Sequence, residues 1–363
     1  MRFQNLFLAA VVFSLAFLMN ACRPPELEQT VIDYNAGRFE NAYEEALKST
    51  QKYPENEEAW FYLGQIQGRK GLIKEMVTSF DKSLAIKPTF TNEIDLSKRN
   101  YYGKYFNDAV AAYNSMIKVE DKTSKEGQEK VALVVDNFTK SLYIKNDYLA
   151  NRLISVSYQF IEDDENALKY LILASEAAPD TAQAWSDLGY YYQRNKDFAK
   201  AAEQFKKGFE VDPTHVESYI RYAESLDLAD MKDEAIEAYK MAFDKNPTEK
   251  AIPFNLGLLY FKKATAIKDD DDTRNSLIKE SIAYFEKAHT LDPEIKEIYD
   301  LLGSLLLQVG DFDRAKELLE QGVEIFPDSS SIWQNLSFLY AKTGQKVKAE
   351  EAFKRSNQLQ SQQ

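Results

Sequence analysis

The sequence is poor in the residues on which most catalytic and metal sites depend. Its 363 residues include one cysteine, Cys22, and two histidines, His215 and His289. With a single cysteine, no Cys/His zinc cluster can form. A Gly-rich phosphate loop, a GxSxG nucleophile motif and an HExxH metal motif are also missing. We therefore expect a protein that is not an enzyme and that holds neither a metal ion nor a cofactor.

Strand signals and clustered positive charge are missing as well. No run of alternating β-branched residues is bounded by turn residues, which predicts an all-α fold. Lys and Arg number 45 against 58 Asp and Glu, so that the net charge is −13. Because phosphate binding requires clustered basic residues, this balance argues against nucleic acid as a partner.

Proline and tryptophan, by contrast, recur at fixed spacing. Seven of the ten prolines occupy one position of a repeating frame, and the steps between neighbours are equal apart from two longer ones. These prolines are Pro54, Pro88, Pro179, Pro213, Pro247, Pro293 and Pro327. The three tryptophans, Trp60, Trp185 and Trp333, occupy a second position of the same frame. Such a period predicts a stack of repeated units.

The clearest unit is the segment 182–215. Its first half carries an apolar stripe on one helix face, made by Trp185, Leu188, Gly189 and Tyr192. A matching stripe on a second helix is made by Phe198, Ala201, Phe205 and Gly208, and Pro213 ends that helix. These residue types at this period resemble the tetratricopeptide repeat (TPR), a helix–turn–helix unit of about 34 residues. The resemblance implies an all-α TPR solenoid, a right-handed superhelix of about nine helix–turn–helix pairs.

The same frame predicts the organisation of the chain. We assign residues 1–21 to a signal peptide, 22–25 to an anchor and short linker, and 26–363 to the solenoid. The repeats lie near 23–56, 57–90, 101–147, 148–181, 182–215, 216–249, 250–295, 296–329 and 330–363, of which 101–147 and 250–295 are expanded. Residues 91–100 are expected to form a separate lead-in helix.

The second expansion contains four consecutive aspartates, Asp269 to Asp272. A calcium loop requires alternating acids and a glycine, which this run does not supply. We expect a solvated turn instead, in which Asp272 and Thr273 cap a helix that begins near Asn275.

The N-terminus resembles a bacterial lipoprotein signal. Arg2 precedes an apolar run from Leu6 to Met19, which is too short to span a bilayer, and Ala21 stands directly before Cys22. The resemblance implies export and lipidation of Cys22. Because Arg23 and not Asp follows the cysteine, it favours the outer membrane, with the repeats facing the periplasm. Ordinary secretory cleavage, which leaves Cys22 as a free thiol, is the alternative.

The resemblance also points to a binding surface, since the first helices of TPR proteins line a concave groove. At the groove positions this chain carries Phe61, Arg69, Arg152, Tyr190, Arg194, Ile220, Phe254, Phe261 and Phe338, and also Asp300 and Ser304. Large apolar side chains at such positions predict anchors for a partner's helix or extended segment. The opposite interpretation, that they pack on their neighbours in a tightly wound superhelix, stays open.

Together these features predict a non-enzymatic, lipid-anchored scaffold that binds protein or peptide partners of the bacterial envelope. Two alternatives remain: a receptor for a saccharide or lipid that acts through Tyr190, Phe254 and Phe338, or an inactive subunit of an envelope enzyme complex. The frame also predicts that leucine at Gly189 clashes where two helices touch. Leucine at Gln204, which the frame places on the exposed side, should be tolerated.

Overall fold

A computed structural model describes residues 23–361. The predicted signal peptide (1–21) and the lipidation residue Cys22 therefore lie outside the described residues. The described part of the chain contains 18 α-helices, one short 3-10 helix and no strand. It divides into two compact units between Ala178 and Pro179, and successive helices in each unit pair as hairpins of the helix–turn–helix kind.

Unit 1 contains four hairpins. Their helices are α1 (Pro25–Asn35), α2 (Phe39–Lys52), α3 (Glu57–Arg69), α4 (Ile73–Ile86), α5 (Thr91–Met116), α6 (Lys125–Ile144), α7 (Tyr148–Phe160) and α8 (Asp164–Ala177), with the 3-10 helix Pro88–Phe90 before α5.

Unit 2 contains five hairpins. Their helices are α9 (Ala182–Arg194), α10 (Phe198–Val211), α11 (Val216–Leu228), α12 (Lys232–Lys245), α13 (Ala251–Ala266), α14 (Asp271–Leu291), α15 (Lys296–Val309), α16 (Phe312–Ile325), α17 (Ser330–Lys342) and α18 (Lys346–Gln360).

The two helices of a hairpin approach closely where glycine faces a large side chain. A Cβ atom added to Gly64 would lie 2.5 Å from the Phe80 ring, and one added to Gly189 would lie 2.9 Å from the Phe205 ring. Phe80 and Phe205 are fully buried. Because interiors are packed without spare volume, the missing Cβ is what admits each ring. A larger side chain at Gly189 would therefore overlap the Phe205 ring, as the sequence predicts.

Helix ends within each unit are tied by aromatic residues that donate to proline carbonyls. The donor lies six residues after the proline, and the donor–acceptor distances are 2.8–3.0 Å. The pairs are Trp60–Pro54, Trp185–Pro179 and Trp333–Pro327 through the indole N–H, and Tyr299–Pro293 through the hydroxyl. The carbonyl of a proline two residues beyond the end of one helix thus gains a donor from the next helix, which explains why proline and tryptophan share one period.

The turn between the helices of a regular hairpin contains one residue with left-handed backbone. Glycine occupies this place four times, with φ of 74–78° at Gly37, Gly71, Gly310 and Gly344. Non-glycine residues occupy it three times, with φ of 61–63° at Glu162, Lys196 and Asp230. All seven stand at the fifteenth position of the repeating frame. The left-handed residue closes the end of the first helix.

The first expansion differs from the predicted separation into a lead-in helix and a repeat. Residues 91–100 and the following segment form one continuous helix, α5, of 26 residues. No proline interrupts it between Thr91 and Met116, so the backbone hydrogen bonds continue through the expected boundary.

The second expansion corrects the predicted helix cap. Helix α14 begins at Asp271, and not near Asn275. The cap is Asp270, whose Oδ1 accepts from the Thr273 backbone N–H at 2.9 Å and whose Oδ2 accepts from the Thr273 hydroxyl at 2.6 Å. An aspartate directly before the first helical turn accepts from one of the free N–H groups of that turn. Asp270 does so, and the helix therefore begins at the next residue, Asp271.

One predicted exposure was wrong. Gln204 on α10 is 6% exposed and not on the solvent side. It stands next to Phe205 and three residues after Ala201, both of which are fully buried, and the buried stripe of α10 is wide enough to include it. Leucine at Gln204 is therefore not a neutral control.

Candidate functional site

Both histidines have structural partners. Nδ1 of His215 lies 2.8 Å from the Ser218 hydroxyl, and Nε2 of His289 lies 3.1 Å from the Tyr299 hydroxyl. Burial lowers the pKa of His289, which favours its neutral ring. Across residues 23–361 no group of three or more His, Cys, Asp or Glu side chains is placed to hold a metal ion. In the same residues no helix is both long and apolar enough to cross a membrane.

We call the first helix of each hairpin an A helix, and the surface that the A helices of one unit form its A-helix face. In unit 1, α1 contacts α3, α3 contacts α5, and α5 contacts α7. In unit 2, α9 contacts α11 and α15 contacts α17. Besides Asp300 and Ser304 on α15, nine predicted groove residues lie on A helices, and their surroundings differ: Phe61, Arg69, Arg152, Tyr190, Arg194, Ile220, Phe254, Phe261 and Phe338.

Phe61 is a core residue, which corrects its assignment as a groove anchor. Its side chain is 8% exposed. The ring stacks on Phe90 at a centroid distance of 4.2 Å and an interplanar angle of 9°. One turn further along α3, the Gln65 side-chain amide donates to the Ser97 hydroxyl at 2.9 Å. The segment 88–97 thus covers this part of the A-helix face of unit 1, so the physical reason for the burial is a contact within the chain.

The two arginines predicted for unit 1 have different surroundings. Arg69 is exposed, and its guanidinium carbon lies 5.4 Å from the Tyr34 ring centroid and 4.8 Å from that of Phe39. Stacking over two rings of the preceding hairpin holds this cation in place. Arg152 is half-buried and has a partner within the protein. Arg69 therefore remains available at the surface, whereas Arg152 is partly engaged.

In unit 2, Tyr190 is part of a polar network that joins α9 to α11. Its hydroxyl donates to the Glu217 carboxylate. Arg221 donates to the Tyr190 hydroxyl at 3.2 Å, to Glu217 at 2.8 Å and to Glu224 at 2.7 Å. The Tyr190 ring also meets the Phe205 ring edge to face, with centroids 5.2 Å apart. Tyr190 therefore holds neighbouring repeats together and does not offer a free stacking surface.

The network changes the acid–base properties of its members. Burial raises the pKa of Tyr190, and its hydrogen bond to Glu217 adds to the rise. Burial alone would lower the pKa of Arg221, but the hydrogen bond to Glu217 and the charge of Glu224 outweigh it and raise the pKa. Arg221 is therefore a permanent cation that is already shared between two carboxylates.

Three further apolar groove residues pack mainly on their own neighbours. Ile220 is half-buried against the core around Tyr219. Phe254 and Phe261 are half-buried against the core of the following hairpins, with the Phe254 ring centroid 5.9 Å from that of Phe285. The packing interpretation thus accounts for most of the surface of these three side chains.

Arg194, Ser304 and Phe338 are the predicted groove residues of unit 2 that are exposed. The guanidinium of Arg194 lies 5.5 Å from the Tyr191 ring centroid, and the residue has a further partner within the protein. Phe338 on α17 is 50% exposed, and the Lys342 ammonium lies 5.2 Å from its ring centroid. This phenyl ring is thus half in water on an A helix, as are the side chains of Leu228 on α11 and Val309 on α15.

Asp300 on α15 has an environment that could not be predicted from the sequence. The frame places it on the groove, but its Oδ1 is buried and accepts no hydrogen bond from any residue in 23–361. Burial raises the pKa of the Asp300 carboxyl, and the nearby Ser331 hydroxyl and the charge of Lys296 offset this rise only in part. The neighbouring A helix α17 is tied to this place, because the Asn335 side chain donates to the Asp300 backbone carbonyl at 3.2 Å.

Comparison with known proteins agrees with this architecture. Family models of the tetratricopeptide repeat match residues 182–215, 278–337 and 306–362. The chain contains tetratricopeptide repeats. The crystal structure of the C-terminal part of a TPR repeat-containing protein from Cytophaga hutchinsonii superposes with a TM-score of 0.50 at 17% identity, covering 64% of this chain and 91% of that one. With 18 helices in the described residues, the fold is an all-α TPR solenoid.

Curated relatives are more distant. A TPR repeat-containing protein of Methanocaldococcus jannaschii is 25% identical over 334 residues, which cover 89% of this chain and 55% of the relative. The human Protein O-mannosyl-transferase TMTC3 is 21% identical over 215 residues, which cover 56% of this chain and 23% of the relative. The chain thus spans between about a quarter and about half of these relatives' lengths. Proteins of the TPR family are usually not catalytic, and the repeat supports protein–protein interaction.

Proposed function

We propose that the protein is a non-enzymatic scaffold that binds a protein or peptide partner on the A-helix face of unit 2. The observation that carries this proposal is the half-exposed ring of Phe338, which lies on an A helix and not in the core. Half-buried Phe254 and Phe261 stand on another A helix of the same unit. Exposed apolar side chains on a helical face are the anchors with which such surfaces hold a peptide segment.

The A-helix face of unit 1 is less suited to this role. Its groove position Phe61 is covered by Phe90, and Gln65 is bonded to Ser97. A partner would have to displace the chain's own segment and would lose the contacts that the segment makes. This cost favours unit 2 as the place where a partner binds.

The proposal is tested by cross-linking the full chain in its own cells and identifying the recovered partners by mass spectrometry. Phe338→Ala should abolish recovery of the main partner. Phe353→Ala is the matched control, because Phe353 is 55% exposed on α18, the second helix of the same hairpin, and it should leave recovery unchanged. Equal recovery with both variants, or equal loss with both, would contradict a site on the A-helix face.

We further propose that the scaffold is exported and anchored by lipid at Cys22, in the outer membrane with the repeats facing the periplasm. The support is the sequence pattern, in which the apolar run from Leu6 to Met19 ends shortly before the single cysteine. Two or more acyl chains on that cysteine would give stable attachment. The envelope partners that we propose follow from this location.

The anchor is tested by growing cells with an alkyne analogue of palmitate. The native chain should take up the label and fractionate with membranes. Cys22→Ala should lose both properties while keeping the same helical circular dichroism. A native chain without label would overturn the anchor and leave the peptide-binding proposal untouched.

A further inference from the structure

A cavity of about 400 Å³ lies between α14, α15 and α16 of unit 2. Its floor is apolar and consists of Leu302 and Leu306 on α15 and Leu318 on α16, each at most 6% exposed. His289 on α14 and Glu317 on α16 stand on its wall. A cavity of this volume, with an apolar floor and a few polar groups, suits a small ligand or a single side chain.

The hydrogen bonds of Tyr299 determine which nitrogen of His289 carries the proton. The Tyr299 hydroxyl donates its only hydrogen to the Pro293 carbonyl at 2.9 Å, because a carbonyl oxygen can only accept. The same hydroxyl oxygen lies 3.1 Å from Nε2 of His289, where it can then only accept, so Nε2 carries a hydrogen. Burial lowers the pKa of His289, so that at neutral pH the ring has no second proton and Nδ1 keeps its lone pair.

Nδ1 of His289 is therefore an acceptor without a donor. It forms no hydrogen bond with any residue in 23–361, and unlike the buried Oδ1 of Asp300 it is open to solvent. The Nε2 edge of the ring faces Tyr299, and the residue lines the cavity. The open edge that carries Nδ1 is thus available to a ligand in the cavity.

The charged groups around the cavity leave one negative charge without a partner. Arg314 on the wall is held by two carboxylates, since it donates to Asp311 at 3.0 Å and forms an ion pair with Glu286. Glu317, by contrast, is exposed and has neither an ion pair nor a hydrogen bond within the described part of the chain. A cation is therefore the charge that this wall accepts, because the Arg314 cation that would oppose it is already neutralised.

We propose that this cavity binds a primary alkylammonium group, either the side chain of a lysine or a free amine. The three hydrogens of an ammonium point in different directions, so it can donate to Glu317 and to Nδ1 of His289 at once. Its methylene chain would lie on Leu302 and Leu306. A guanidinium, whose donors lie in one plane, fits these two acceptors less well. The site is separate from the one proposed on the A-helix face, because Phe338 does not line the cavity.

The site is tested by NMR on the full chain with isotope-labelled histidine, since His215 and His289 give only two sets of ring signals. His289 should show the tautomer with hydrogen on Nε2. N-acetyl-lysine amide should shift the His289 signals and not those of His215, which lies outside the cavity. N-acetyl-norleucine amide, which has the stem without the charge, and the trimethyl-lysine compound, which has the charge without donors, should not. The opposite tautomer, equal responses to the three compounds, or no response to any of them would overturn the proposal.

Glu317→Gln should weaken the binding of the lysine probe by about tenfold, because a charge-assisted hydrogen bond is lost. The matched control is Asp313→Asn, which removes an exposed acid of the same helix that does not line the cavity. This control should bind the probe like the native chain. Equal weakening by the two substitutions would assign the effect to net charge and contradict the site.

Binding should be constant at neutral pH and should be lost as the pH falls through the pKa of His289, because protonation turns Nδ1 from an acceptor into a donor. Other charged groups also face the ring or the cavity, namely Glu286, Arg314 and Glu317, and the Tyr299 hydroxyl contacts the ring. His289→Gln separates their effects, since glutamine supplies an acceptor that does not titrate. It should bind the probe without the loss at low pH, and a loss that persists in this variant would contradict the role of His289.

Zero-length cross-linking in cells distinguishes the two sources of the ammonium. A carbodiimide joins the Glu317 carboxylate to a bound amine as an amide with loss of water, and the carbodiimide becomes a urea. An amide with a lysine of another protein would assign the group to a protein partner, and one with a small amine would assign it to a free ligand. Glu317→Gln is the control, because its amide does not react. The absence of both products from the native chain would overturn the site.

Discussion

Gly64→Ala tests how closely the two helices of a hairpin approach. The added Cβ would lie 2.5 Å from Cδ1 and 2.6 Å from Cε1 of Phe80. Ordinary contact begins at 3.4 Å, so the ring would have to move by about 0.9 Å (3.4 minus 2.5). Phe80 is fully buried, and the Phe61 ring centroid lies 6.3 Å from its own. The ring therefore has little free space to enter.

Two opposing effects set the size of the change. Overpacking of a core costs about 1–3 kcal/mol, whereas replacing glycine by alanine inside a helix gains about 1 kcal/mol. Gly103→Ala is the matched control, because Gly103 lies inside α5 and an added Cβ would meet no atom within 4 Å. Both variants gain the same helix-forming free energy from the replacement of glycine by alanine. The difference between their unfolding free energies therefore measures the cost of the overlap with Phe80, which is about 1–3 kcal/mol.

The assay is thermal unfolding of the full chain followed by circular dichroism. At about 2–4 °C for each kcal/mol in units of this size, Gly103→Ala should melt at or above the native temperature and Gly64→Ala clearly below Gly103→Ala. Adding Phe80→Leu to Gly64→Ala should recover part of the loss. The repeat 148–181 already combines a larger residue, Ser155, with Leu171 at the same two frame positions. If Gly64→Ala is as stable as Gly103→Ala, the packing argument is refuted.

Three further predictions follow from single residues. Glu162 has left-handed backbone, so Glu162→Gly should raise the unfolding free energy by about 0.5–1 kcal/mol in urea titration, whereas Glu165→Gly in the first turn of α8 should lower it. Asp270→Ala should lower the melting temperature more than Asp272→Ala, because Asp270 is the residue that caps α14. Since burial raises the pKa of Asp300, its ionisation opposes folding at neutral pH, and this penalty disappears as the pH falls below the carboxyl's ordinary pKa. The melting temperatures of the native chain and Asp300→Asn should therefore converge in a series of acidified samples, and a constant difference would contradict the burial.

The sequence was sufficient for the fold because the repeat places chemically special residues at fixed positions. Proline cannot continue the interior of a helix, and the tryptophan six residues later donates to its carbonyl, as Trp60 does to Pro54. Glycine stands where the Phe80 ring enters the opposite helix surface. These requirements are local, so a period read from one chain predicts them well.

The candidate site was less predictable because it depends on contacts that the frame does not contain. Frame position alone cannot tell that Phe90 covers Phe61, since Phe90 stands at the end of the repeat 57–90, just before the segment in which the period fails. Nor does the frame report the width of a buried stripe, which is why Gln204 was placed on the wrong side. The unpaired Oδ1 of Asp300 is visible only once the donors around it have positions.

Two A-helix residues in different units occupy the same place in the repeat but have different surroundings. Phe61 and Asp300 both stand at the fifth position of their repeats, on the A-helix face. In unit 1 the Phe61 ring at this position stacks on the Phe90 ring, with the two ring centroids 4.2 Å apart. In unit 2 the corresponding carboxylate has an oxygen without any partner in the described residues. The frame position therefore determines which face of the helix a side chain occupies, whereas the neighbouring segment determines what that side chain contacts, and this part has to be read from the structure.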